Sequence, residues 1–124
     1  MSSARLNQTR INRGDVVMVD LGTRFGREQG GIRPAIVVQN NIGNYCGDTT
    51  IVAPLTASKK NNIGLPTHVV GIQLEKESIA LLEQIVTIDK RRIICVLDHL
   101  DEQKLKDVDK KIKVSLGLWR YSHW

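Results

Sequence analysis

Short apolar runs alternate with polar turns along most of this chain, and the runs are brief and rich in β-branched residues. Residues 16–21 (VVMVDL), 35–39 (AIVVQ), 50–55 (TIVAPL), 67–74 (THVVGIQL), 78–88 (SIALLEQIVTI) and 93–97 (IICVL) are predicted strands of a mostly antiparallel β domain. Pro34 stands at a strand start, where a missing amide is tolerated, and Pro54 near a strand end suggests an edge or a bulge. After Asp101 the period changes. Leu105, Val108, Ile112 and Leu116 recur at helical spacing, Asp101 is a good N-cap, and lysines gather toward the C-terminal half. One amphipathic helix across the sheet is predicted, with a short helix or turn between Asn40 and Asp48. No repeat or linker divides the chain, so residues 1–12 are expected to be a flexible extension, 13–118 a single domain and 119–124 a tail.

A chain of 124 residues with 41% hydrophobic and 25% charged residues can bury one core, which argues against global disorder. A net charge of +5 favours a polyanionic partner without proving one. The N-terminus lacks the apolar core of a signal peptide and no run reaches membrane-spanning length, so a cytoplasmic protein is expected. Cys46 and Cys95 are far apart with no CxxC spacing, which predicts two buried or half-buried thiols and no metal site. His68, His99 and His123 are scattered as well.

The segment EQGGIRPAIVVQNN, residues 28–41, raises a sharper question, because an arginine stands directly before a proline at the mouth of an apolar strand. Pro34 restricts Arg33 to extended backbone, and Gly30 and Gly31 allow a tight path before it. An arginine so placed is aimed. Its planar fork suits phosphate oxygens, although a structural pair with Glu28 or Asp15 is equally compatible with the residues alone.

Five blocks carry a resemblance that bears on this choice: RGDVVMVDL at 13–21, EQGGIRPAIVVQN at 28–40, IVAPLT at 51–56, LPTHV at 65–69 and LLEQIVTIDKRR at 81–92. Together, in this order and spacing, they make the chain resemble the MazF/PemK family of toxin endoribonucleases from Arg13 to about Leu118. The resemblance implies a mainly β fold with α, a small SH3-like antiparallel barrel of the CcdB/PemK type. It also implies a homodimer, a MazE-like antitoxin whose acidic and apolar segment obstructs the RNA groove, and cleavage of single-stranded RNA at short motifs without metal or other cofactor. Arg33 and Thr56 match the family's catalytic arginine and threonine. Glu28, Gln29 and Gln84 match residues near the bound RNA. Many relatives have serine where this chain has Arg27, so the resemblance gives Arg27 no role.

The chemistry can be built from the same residues. If the RNA's own 2′-oxygen attacks phosphorus, negative charge grows on the nonbridging oxygens, where a fixed cation stabilises the transition state more than the ground state. Arg33 supplies the cation and Thr56 a hydroxyl donor. The base is open between Glu28, a water and a perturbed Arg33, since an ordinary arginine is a poor one. The nucleophile would then belong to the substrate. Loops at 22–32 and 57–66 add Arg24, Arg27, Lys59, Lys60, Asn61 and Asn62, whose charges suit phosphates and whose amides suit base edges, with Arg27, Lys59 and Asn61 the substrate-binding candidates. Aromatic content of 4% leaves few stacking platforms, of which Phe25 and Tyr45 are candidates. Two rival functions remain at this level: a CcdB-like toxin that binds DNA gyrase, and a nucleic-acid-binding module without activity.

Overall fold

The computed structural model describes residues 10–58 and 64–119. Its elements are β1 (Asp15–Asp20), β2 (Ile32–Val37), α1 (Asn41–Cys46), β3 (Thr49–Ala57), β4 (His68–Gln73), β5 (Glu77–Leu81), β6 (Val86–Asp89), β7 (Ile93–His99) and α2 (Glu102–Ser115). Single 3-10 turns occupy Leu82–Gln84 and Lys90–Arg92. The seven strands pair antiparallel in the order β4-β5-β3-β2-β1-β7, with β6 also on β3. Between its two ends, β4 and β7, no pairing is formed among the described residues. The fold is that of a small antiparallel sheet domain with a C-terminal helix, as expected.

Alternation along the strands builds two apolar layers. Val16, Ile36, Ala53 and Leu55 face α2, where Val108 is fully buried and Leu105 and Ile112 pack beside it. Val17, Val19, Ala35, Val37 and Val52 face the other way and close on Ile88 and Ile11. Burial of Ile11 to 2% exposure, with Asn12 donating its amide to Asp15, makes these two residues part of the fold, although they fall in the expected extension. Helix α2 starts as predicted, with the Asp101 carboxylate accepting from the Lys104 amide at 2.7 Å. Leu116 does not continue the apolar stripe. It is the C-cap and is exposed, because the helix has ended and Val114 takes the inward position. Cys46 and Cys95 are both exposed rather than buried or half-buried, Cys46 ending the short α1 and Cys95 standing on the outermost strand β7.

The predicted strand 78–88 is broken, and the cause lies on the strand opposite. β3 pairs with β6 through Thr49–Val52 and with β5 through Leu55–Ala57, all on one flank. On the other flank the Ile51 carbonyl accepts from the Val38 amide of the β2 side. Backbone groups alternate in direction along a strand, so Ala53 turns toward β2 and Pro54 turns toward the β6/β5 flank. Pro54 has no N–H to offer there. The chain opposite therefore leaves the ladder, coils through Leu82–Gln84 and rejoins as β6. Pro54 is neither at an edge nor near a strand end; it lies inside the central strand, where its neighbour changes and no ladder bond is lost.

Candidate active site

The gap opposite Pro54 opens into a cavity of about 670 Å³. Its wall holds Arg27, Glu28 and Gln29 from the β1–β2 loop, Glu83 and Gln84 from the 3-10 turn, and Arg92 from the turn before β7. The β1–β2 loop is folded tightly upon itself. A Cβ on Gly30 would meet the Arg24 Cβ at 2.6 Å, and Gly31 sits at φ +73°, so the two glycines have separate reasons to be there. Hydrogen bonds from Leu21 to Gly31 and from Gly31 to Gly22 extend the β1–β2 hairpin to the loop's base.

Arg33 is held by two backbone carbonyls, through Nε to Gly30 at 3.0 Å and through Nη1 to Leu55 at 3.4 Å. The second bond explains the proline. Register pairs Ala35 with Pro54 and Ile36 with Ala53, so Pro34 falls opposite Leu55 at a position where a backbone N–H would complete the ladder. Proline has none, the Leu55 carbonyl is left over, and the guanidinium takes it. Neither Glu28 nor Asp15 pairs with Arg33: Asp15 is bonded to His99 at 2.7 Å, and no carboxylate lies within ion-pair distance of Arg33 among the described residues. Of the five guanidinium N–H groups, two are engaged by the described residues.

Thr56 follows the carbonyl that holds Arg33. It is half-buried and lines a second cavity, of about 600 Å³, with Met18, Pro34, Gln73 and Leu97. The structure thus gathers Arg27, Glu28, Gln29 and Gln84 in one cavity, sets Thr56 in another, and places Arg33 at the Leu55 carbonyl beside Thr56. Lys59 and Asn61, with Lys60 and Asn62, lie outside the described residues. Phe25 is 82% exposed at the loop tip, whereas Tyr45 is hydrogen-bonded to Asn12 and has the Arg10 guanidinium 4.5 Å from its ring centroid.

Gln84 does more than line the wall. Its Oε1 accepts from the Gln29 amide at 2.9 Å and its Nε2 donates to the Arg27 carbonyl at 3.4 Å. Glu83, beside it, accepts from the Thr67 hydroxyl at 2.8 Å and lies 3.1 Å from His68 Nε2. Glu83 and Arg92 are cavity residues that the sequence reading passed over. The basic run KRR could have pointed to Arg92, because its neighbour Arg91 is neutralised by Asp89. That pairing, through hydrogen bonds from the Arg91 side chain and backbone, holds the Asp89 carboxyl down to about 2 and raises the Arg91 pKa. Among the described residues no group of three His, Cys, Asp or Glu side chains is placed to hold a metal ion.

The small antiparallel sheet thus sets an arginine held by two carbonyls, with no carboxylate paired to it among the described residues, close to a threonine. The family described as PemK-like, MazF-like toxin of type II toxin-antitoxin system matches residues 12–116, and the chain belongs to it. Among solved structures, MazF (Form-I) from Deinococcus radiodurans is 26% identical, with a TM-score of 0.74 over 88% of this chain and 98% of that one. An endoribonuclease in complex with its cognate antitoxin from Mycobacterial species is 22% identical, with a TM-score of 0.74 over 90% and 99%. The MazE-MazF complex (Form-II) from Deinococcus radiodurans is 24% identical, with a TM-score of 0.67 over 90% and 99%. These relatives give the gyrase-binding alternative no support.

Proposed function

We propose that this protein is the toxin of a toxin-antitoxin pair, an endoribonuclease that cuts single-stranded RNA at a short motif and is restrained by a MazE-like antitoxin. The observation that carries the reading is Arg33, a cation fixed by two carbonyls and paired with no carboxylate among the described residues. Relatives named as MazF and as an endoribonuclease with its antitoxin support it. We further propose that the protein works in the cytoplasm as a homodimer and needs no metal. No described helix is long and apolar enough to cross a membrane.

In the proposed reaction the 2′-oxygen of the RNA attacks the adjacent phosphorus and loses its proton to a base. The bond from phosphorus to the 5′-oxygen breaks, that oxygen takes a proton, and the products are a 2′,3′-cyclic phosphate and a 5′-hydroxyl. Arg33 stabilises the charge on the nonbridging oxygens and is the assigned proton donor; the Thr56 hydroxyl adds a hydrogen bond. Glu28, or a water it holds, is the assigned base. Gln29, Gln84 and Arg27 face the cavity in which neighbouring nucleotides would lie.

Purified protein incubated with a long mixed-sequence RNA in EDTA tests this directly, with fragment ends sequenced and their chemistry identified. Discrete cuts with cyclic phosphate ends are expected, and Thr56→Ala should slow them by about 10²–10³-fold. RNA retained without product would replace the enzyme by a passive binder.

A further inference from the structure

The two hydrogen bonds of the Gln84 amide fall on the residues immediately before and after Glu28. One side chain thereby brackets the proposed base from both sides, across 55 residues of sequence to Gln29. The turn that carries Gln84 is itself anchored. Leu82 is fully buried in the core facing α2, and Glu83 is held by Thr67 and His68 at the start of β4. His68 is oriented in turn, since its Nδ1 accepts from the Leu65 amide at 3.2 Å, which puts the ring's N–H on Nε2, toward Glu83.

The β1–β2 loop and the residues that open β4 both end on this single 3-10 turn. We infer that Leu82–Gln84 is a latch: Gln84 seats Glu28, and Thr67 and His68 fix the latch through Glu83. Gln84 is on this account a positioning residue, since both polar atoms of its amide are engaged with the protein's own backbone. The role for Glu28 rests on the endoribonuclease reading, whereas the latch itself is a property of the RNA-free protein.

Two readouts on the full chain separate the possibilities. The first is limited trypsin digestion without RNA, with cuts after Arg24 and Arg27 followed by mass spectrometry. Gln84→Met keeps the side-chain length and removes both bonds, and should raise cutting there roughly tenfold, as loop opening becomes easier. Thr67→Val, which leaves the Gln84 amide in place, should give a smaller rise of the same kind. The second readout is steady-state cleavage of a short RNA. Gln84→Met should lower kcat with little change in KM, and should add little to the loss already caused by Glu28→Ala, because the two act as one unit. Unchanged trypsin sensitivity with a raised KM would overturn the latch and make Gln84 a direct RNA contact. Faster digestion in Gln84→Met but none in Thr67→Val would overturn the anchoring through Glu83. Absence of RNA cleavage in every variant, wild type included, would defeat the proposed function and leave the trypsin result to decide the latch.

Discussion

Arg13 and Arg33 both belong to charged, glycine-containing segments where β1 and β2 begin, and the fold uses them in opposite ways. Arg13 is consumed by structure. Its Nε donates to the Val38 carbonyl at 2.8 Å, its Nη2 meets Asp109 of α2 at 2.6 Å, and its backbone amide donates to Asn41. The rest of that block is equally occupied, with Asp15 buried between His99 and the Asn12 amide. Arg33 also bonds to carbonyls, but no carboxylate neutralises it among the described residues. Two arginines of the same chemistry are therefore told apart by whether an acid answers them. The first closes a structure, and the second is left without an acid among the described residues, as the proposed site requires.

The strongest way to break this comparison is Arg33→Ala. Cleavage should fall by about 10³-fold or more while thermal unfolding is nearly unchanged; wild-type turnover in a folded Arg33→Ala protein would remove the site from consideration. Next comes Pro34→Ala, which returns an N–H to the position opposite Leu55 and lets it compete with Arg33 for that carbonyl. Activity should drop on the order of 10- to 100-fold as the guanidinium loses its seat, read against RNA affinity measured separately. Arg13→Ala should do the converse. Loss of the bond to the Val38 carbonyl and of the pair with Asp109 should destabilise the fold by about 1–3 kcal/mol, measured by denaturant unfolding, with cleavage per folded molecule unaltered.

The smallest effect belongs to the exposed pair of Asp89 and Arg91. Asp89 is depressed from 3.8 to about 2 in the fold, so its contribution to stability is present above the unfolded value and is lost as pH falls through the folded one. The Tm difference between wild type and Asp89→Asn should accordingly narrow as pH is lowered from about 4 to about 2, and a difference that persists at the lowest pH would assign the effect to something other than this carboxylate.

Most strands were legible because alternation and β-branching are local properties, and the Asp101 cap was legible for the same reason. The break in residues 78–88 was not. It depends on Pro54, which the sequence places near a strand end and the fold places in the middle of β3. Arg33 could be picked out from its neighbours, whereas the carbonyl that holds it belongs to Leu55, 22 residues away, and its availability follows from a proline on the facing strand. Gln84 was picked out by the resemblance alone. Its partners, the backbone groups of Arg27 and Gln29, are set by tertiary folding and leave no mark in local composition.

The 3-10 turn also sets an order of events. A chain made from its N-terminus possesses Arg33 and Thr56 well before it possesses Leu82–Gln84, and pairing of distant segments is the slow part of building a sheet. The two bonds that flank Glu28 cannot form until the turn has emerged and β5 and β6 have both settled on β3. A chain ending before Leu82 would carry the proposed catalytic side chains without the turn whose bonds flank Glu28.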